Sequence, residues 1–320
     1  MKLEDIGFYT LEDKRAKNVS VKSPLWRCEL LLTSRCNFNC VYCRKRTTGD
    51  ISFENAKKVI DLWAEEGLKN VRFSGGEPTL WPDLYNLVKY TRNKPNVKRI
   101  AISTNGSAAK ELYKRLLQAG VNDFSISLDS CCSNEADKLA GKEGMWKHVV
   151  KIIEYLSRFT YVTVGMVLLP ENVNRLQETI MFAINLGVKD VRVISAAQWN
   201  QSLAWRLTEL QKWQYPILSY RLNNINTGRN VRGMKEEDNH QCPLVLDDMA
   251  IEGNEHYPCI IYLRERGKAI GMVGKSMRKE RQEWYETHDC YQDKICKKNC
   301  LDVCIDYNNR VRELQNVAKT

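Results

Sequence analysis

The chain has 320 residues, 43% of them hydrophobic and 28% charged, with a formal net charge of +10. That composition is ordinary for a globular protein and excludes a disordered or fibrous chain, and no apolar run approaches the roughly 18 residues needed to cross a bilayer. The start, MKLEDIGFYTLEDKRAK, has no apolar core of the signal-peptide kind, so a cytoplasmic location is expected, in which the twelve cysteines serve as metal ligands rather than disulfides. The basic surplus favours acidic partners such as nucleic acid, a phosphorylated substrate or an acidic redox protein, although no RNA-binding or zinc-finger signature is present.

Residues 1–24 read as a short N-terminal extension. From Cys28 to about Ala197, short apolar runs alternate with amphipathic stretches of helical length, the pattern of βα units on a parallel sheet. Six strands are predicted, at 28–33, 70–74, 99–103, 123–127, 161–169 and 191–195. Helices are expected to open near Ser52, Trp81, Ala108, Met145 and Asn172. Six units are too few to close an eight-stranded barrel, so the predicted fold is α/β, an open partial (β/α)6 barrel over residues 25–225. A further helix from Ser202 should be broken by Pro216. The polar run 223–241 marks a boundary. Beyond it, residues 226–320 read as a small cysteine-rich domain with a C-terminal helix, with few strand or helix signals, too little apolar surface for a core of its own, and bound metal supplying folding energy.

Just after the first strand, CNFNCVYC sets Cys36, Cys40 and Cys43 in a Cys-x3-Cys-x2-Cys spacing. Three thiolates on so short a loop suit three corners of an iron–sulfur cube and leave the fourth iron open. A structural zinc knuckle is the alternative, but it needs a fourth ligand, and the nearby Cys28 lies on the strand itself.

This loop, followed after the second strand by SGGEPTL (74–80), resembles the radical SAM superfamily. The resemblance covers about residues 26–200. It implies a partial barrel carrying a [4Fe-4S] cluster whose open iron is chelated by S-adenosylmethionine (SAM), with reductive cleavage yielding a radical that takes hydrogen from a substrate. Gly75 and Gly76 would let backbone approach the methionine moiety, Glu77 would accept from its ammonium, and Pro78 would hold the turn. Tyr42 matches an aromatic position near adenine, or is a plain core tyrosine. Thr104 and Asn105 of STNG, and Ser127 of SISLDS, resemble strand-end contacts to the cofactor. Ala197 matches a position flanking adenine, or is a bland loop residue.

The tail carries Cys242, Cys259, Cys290, Cys296, Cys300 and Cys304 and resembles the auxiliary-cluster domains called SPASM and twitch. The family's Cys-x2-Cys-x5-Cys-x3-Cys run is nearly present, with Thr287 at its first position. Six thiolates can serve one four-cysteine cluster with two to spare, or two clusters with three each. His288, Asp289 and Asp302 are candidates to complete a cluster that lacks a sulfur, or are surface residues. A zinc-stabilised tail is the alternative.

Auxiliary-cluster members oxidise, epimerise or decarboxylate small molecules, modify peptides, or cyclise GTP. Arg72 matches a GTP-contacting arginine of the cyclases, but Glu29 and Thr163 stand where those enzymes have an arginine and a lysine, and the chain ends in Ala-Lys-Thr rather than Gly-Gly. Peptide modification is expected to need a leader-binding domain larger than the 24 residues ahead of the barrel. By strand alternation Glu29, Arg72, Thr163 and Ser195 should face the barrel interior. There Arg72, Thr163 and Ser195 would contact substrate, and Glu29 would act as a base or merely pair with Arg72. Cys131 and Cys132, just past the fourth strand, would be hydrogen-atom donors in an epimerase, or buried spectators. The expected reaction is oxidation of a small polar substrate, with an acidic flavodoxin or ferredoxin as electron donor. An iron–sulfur sensor on nucleic acid is the non-enzymatic alternative, against which the intact GGEP segment stands.

Overall fold

The computed structural model describes residues 14–199 and 215–317. Strands β1 (Arg27–Thr33), β2 (Asn70–Gly75), β3 (Arg99–Thr104), β4 (Asp123–Ser127), β5 (Tyr161–Leu168) and β6 (Asp190–Ser195) lie side by side in chain order, all parallel. They are the six predicted strands, each to within one residue at either end. Between them run α1 (Phe53–Glu65), α2 (Leu84–Arg92), α3 (Lys110–Ala119), α4 (Ser133–Ala140), α5 (Trp146–Ser157) and α6 (Leu176–Asn185). The Ser52 hydroxyl accepts from the Asn55 amide and so starts α1, whose Ala56, Val59, Ile60 and Trp63 recur at helical spacing and are buried. They meet Leu30, Leu32, Val71, Phe73, Ile100, Ile102, Phe124 and Ile126, alternate residues of the first four strands, in one core. Strand alternation then commits Leu31, Ser74, Ser103 and Ser125 to the other face, where they line a cavity.

One local expectation is corrected. Helix α4 was not anticipated, because its eight residues hold only two apolar anchors, Ala136 and Leu139. Pro216 opens a helix, occupying the first turn of α7 (Pro216–Asn226), where a missing N–H leaves no bond unmade. The helix expected from Ser202 lies outside the described residues.

The cysteine-rich tail joins the same sheet. Strand β7 (Asp248–Glu252) adds parallel to the free edge of β1, and β8 (Glu255–Tyr257) and β9 (Gly271–Met272) follow antiparallel, giving the order β6-β5-β4-β3-β2-β1-β7-β8-β9. The remaining helices are α8 (Ile260–Arg264), α9 (Met277–Thr287), α10 (Lys294–Asn299) and α11 (Asp302–Val317). The tail thus has more regular structure than its sequence suggests, and it does bury a core. Leu244, Val245, Leu246, Val303, Tyr307 and Val311 pack with Ala16 and Val19 of the N-terminal extension, so apolar surface is borrowed from the other end of the chain. Among the described residues no helix is long and apolar enough to cross a membrane.

Arg221 of α7 and Asp302 of α11, both fully buried, form an ion pair, and the Asn224 amide donates to the same carboxylate at 2.7 Å. Removing one partner strands a buried charge. Asp302→Ala is therefore expected to lower unfolding stability by about 3–5 kcal/mol, read from urea denaturation; a loss under about 1 kcal/mol would show the pair to be dispensable.

Candidate functional site

A cavity of about 450 Å³ opens at the C-terminal ends of the strands, the size of a small-molecule site. The cysteine loop forms one wall, with Cys36, Cys40 and Cys43 all bordering the space. Burial pushes the Cys36 thiol up and the Cys40 thiol up to about 12. Such thiols stay protonated at neutral pH unless a metal cation takes them as thiolates. Asn105 Nδ2 points at the Cys36 sulfur at 3.8 Å and donates to Asn37 Oδ1 at 2.9 Å, tying the STNG turn to the loop.

The glycines of SGGEP line the cavity and also press against the cysteine loop. Gly75 sits at φ +136°, and a Cβ on it would collide with the Thr33 carbonyl; one on Gly76 would collide with the Arg35 carbonyl. Their backbones lie directly against the cysteine loop, with Gly76 N donating to Thr33 O at 2.7 Å and Glu77 N to Arg35 O at 2.8 Å. Close approach is real, and one partner is the loop that carries the cysteines.

Glu77 is likewise enclosed. It is fully buried, does not line the cavity, and accepts from Thr79 N (3.0 Å), Thr79 Oγ1 (2.6 Å), Thr104 Oγ1 (2.8 Å) and Asn105 N (2.6 Å). Burial nonetheless holds its carboxyl above the ordinary range. Its donors are internal, so it braces two strand-end turns against each other instead of receiving a ligand's ammonium. Pro78 is buried behind it at the start of a short 3-10 turn.

Tyr42, Thr104, Asn105, Ser127 and Ala197 all line the cavity, as expected. The Tyr42 hydroxyl donates to Asp129 Oδ2 at 2.7 Å, and Asp129 Oδ1 accepts from Val167 N at 2.8 Å. Burial raises the Tyr42 phenol well above its usual value and lifts Asp129 to about 6. Asp129 was not singled out in the sequence, although it stands two residues past Ser127 in SISLDS.

The expected substrate contacts are redistributed. Arg72 donates to Ser103 Oγ at 2.9 Å and pairs with Asp123 at 3.7 Å, below the cavity floor. It is not the partner of Glu29, whose Oε1 accepts from Ser74 Oγ at 2.8 Å and lies 3.8 Å from Arg264. Ser74 and Arg264 line the cavity; Glu29 lies behind them. Thr163 is buried and does not line it. Ser195 does, but at the strand end. On β6 the register pairs Arg192 with Gly165 and Ile194 with Val167, all four cavity-lining, whereas Ser195 pairs with core Leu168. The inward position is therefore Arg192, one register step from the expected one. Half-buried, it donates from Nη2 to Ser125 Oγ at 3.2 Å, and its buried Nε has no hydrogen-bond partner among the described residues. Desolvation, with Arg72 nearby, lowers it to about 10.

Cys131 and Cys132 do not line the cavity. Their sulfurs lie 3.6 Å apart between α4 and α6, beside the exposed Arg175 and Glu178. That placement removes the geometric basis for a hydrogen-donor role. In the tail, Cys290 N donates to His240 O at 2.8 Å, which brings Cys290 beside Cys242, and Cys259 starts α8 by accepting from Tyr262 N. Helix α8 also presents Ile261 and Arg264 to the cavity, so the helix that Cys259 starts borders the site.

Comparison with known proteins agrees with this geometry. Residues 30–183 match the model of the Radical SAM superfamily. A GTP 3′,8-cyclase of Campylobacter lari is 36% identical over 118 residues, 35% of this chain and 37% of that protein. An AdoMet-dependent heme synthase of Methanosarcina barkeri is 28% identical over 202 residues, 57% of each chain. The chain thus spans between about a third and three fifths of these relatives. The crystal structure of Streptococcus suis SuiB bound to S-adenosylmethionine superposes with a TM-score of 0.58 at 16% identity, over 87% of this chain and 72% of that one, a likeness of fold. With its three-cysteine loop, its open parallel sheet and this match, residues 30–183 form a radical SAM domain, of the superfamily whose members use a 4Fe–4S cluster and SAM.

Proposed function

We propose that this enzyme oxidises a small anionic substrate, drawing its electrons through an iron–sulfur tail of the SPASM or twitch kind. The observation that carries the reading is Arg192, a half-buried arginine in the cavity wall with a buried, unused Nε–H and no carboxylate partner among the described residues. A desolvated arginine of this kind suits a carboxylate or phosphate, which can take its fork of donors. The cluster and SAM, when bound by Cys36, Cys40, Cys43 and the cavity-lining strand ends, supply the radical that removes a hydrogen atom. The protein's part is to hold the substrate anion on Arg192, to exclude water, and to receive a proton. Ser74 Oγ, exposed to the cavity and donating to Glu29, is the relay by which that proton reaches Glu29. The cavity offers no cysteine beyond the three of the loop, which favours oxidation over epimerisation. The basic surface would dock an acidic flavodoxin or ferredoxin in the cytoplasm.

A second reading, cyclisation of GTP, is favoured by the local identity to a GTP 3′,8-cyclase; Glu29 in place of a basic residue weighs against it. The test is anaerobic turnover with SAM, dithionite and a panel of small carboxylates, phosphates and GTP. An anionic compound is expected to raise 5′-deoxyadenosine above the level with SAM alone and to be recovered two hydrogens lighter. Arg192→Met should raise its KM about ten- to a hundredfold, the worth of a charged hydrogen bond. Turnover of a neutral compound with unchanged KM in that variant would overturn the anionic assignment, and a cyclised nucleotide would select the second reading.

A further inference from the structure

The tail has one sulfur too few at the position where its cysteine run should begin. That residue is Thr287, which is exposed and donates its hydroxyl to Glu283 O at 2.7 Å, away from the thiols. The next residue is placed otherwise. A ring nitrogen of His288, Cys290 Sγ and Cys296 Sγ all lie within 4.8 Å of one another. Cys242 is brought alongside by the bond from Cys290 N to His240 O at 2.8 Å, two residues before it, and its sulfur is reached by Asn308 Nδ2 at 3.5 Å. Two thiols and one imidazole therefore converge from the end of α9 and the start of α10, with Cys242 beside them in the loop before β7.

The imidazole is held for this position. Its ring stacks on Trp284 at 4.1 Å and 18°, with Tyr262 edge-on at 6.3 Å. Nε2 is buried and has no hydrogen-bond partner among the described residues. The nearest acid, Asp293, stands 3.5 Å away, but its Oδ2 already accepts from the Tyr262 hydroxyl at 3.0 Å and its Oδ1 caps α10. An imidazole with a ring nitrogen beside two thiols, a buried Nε2 and only an already engaged carboxylate at 3.5 Å is the arrangement of a metal ligand. The two other candidates are spent: Asp302 is paired with Arg221, and Asp289 is solvent-exposed beside His240.

We propose that His288 is a protein ligand of the tail's iron–sulfur cluster, completing the set begun by Cys242, Cys290 and Cys296. This rests on the reading of the tail as an iron–sulfur domain. A neutral imidazole in place of a thiolate removes one negative charge from the cluster and raises its potential, which makes it a better acceptor for the electron that oxidation releases.

The test uses the full chain with Cys36, Cys40 and Cys43 changed to alanine, so that only the tail binds iron, reconstituted anaerobically with iron and sulfide and cryoreduced. Pulsed electron paramagnetic resonance is expected to show a strongly coupled nitrogen that changes on 15N-histidine labelling. In His288→Cys the iron content should be unchanged, the nitrogen coupling lost and the midpoint potential lower. Iron without coupled nitrogen, or coupling that persists in His288→Cys, overturns the histidine assignment while leaving the cluster standing. Zinc, or no metal, overturns the iron–sulfur reading of the tail and this proposal with it.

Discussion

Cys40→Ala is expected to abolish 5′-deoxyadenosine formation from SAM under dithionite, and to remove one cluster's worth of iron while leaving the tail's iron in place. Cys40 borders the cavity between Cys36 and Cys43, and its buried thiol, pushed up to about 12, has no reason to ionise except to hold a cation. With two thiolates the loop no longer offers the three corners that a site-differentiated cube requires. Cys28→Ala provides the contrast. Cys28 is buried in the strand core beneath the loop, so its loss should cost roughly 1–2 kcal/mol of stability and leave iron and SAM cleavage intact. Iron analysis, chromatography of the SAM products and a thermal melt on both variants decide the matter. Full cleavage activity in Cys40→Ala would remove the loop from the chemistry.

The strands were legible because burial against helices imposes a repeating demand: apolar residues at every second position, as Leu30 and Leu32 or Val71 and Phe73 display. The cysteine loop was legible because metal ligands must sit close in sequence when one short turn holds them. What the sequence did not yield depends on pairings made at long range. Arg192 takes the inward face of β6 only because Gly165 of β5 stands opposite and leaves room for a guanidinium; the Arg192 Nη2 atom would be 3.3 Å from a Cβ placed there. Counting from Ser195 put the face one residue out, and a strand has no memory of which parity is inward until its neighbours are known. Strand β7 escaped because its run, DMAIE, is five residues long and needs the edge of β1, more than two hundred residues upstream, to define it. Cys131 and Cys132 follow β4 closely enough to suggest the cavity mouth, but α4 begins at Ser133 and carries them outward to α6. His288 was indistinguishable from a surface residue until α9 and α10 folded back on Cys242.

Gly76→Ala should separate two accounts of the GGEP motif. If the glycine is there for the cysteine loop, an added methyl group meets the Arg35 carbonyl and breaks the bonds from Gly76 N to Thr33 O and from Glu77 N to Arg35 O. Overpacking of this kind costs about 1–3 kcal/mol, and here the strain falls on the residue adjoining Cys36. The variant is then expected to melt lower and to lose the loop's iron while keeping the tail's, with SAM cleavage falling in proportion to the iron lost. If instead the glycine is there only to admit the cofactor, iron and melting temperature stay at the wild-type values and the KM for SAM alone rises. Measuring iron before activity gives the order of events. Wild-type iron with weakened SAM binding would return the motif to the direct ligand role that its sequence first suggests.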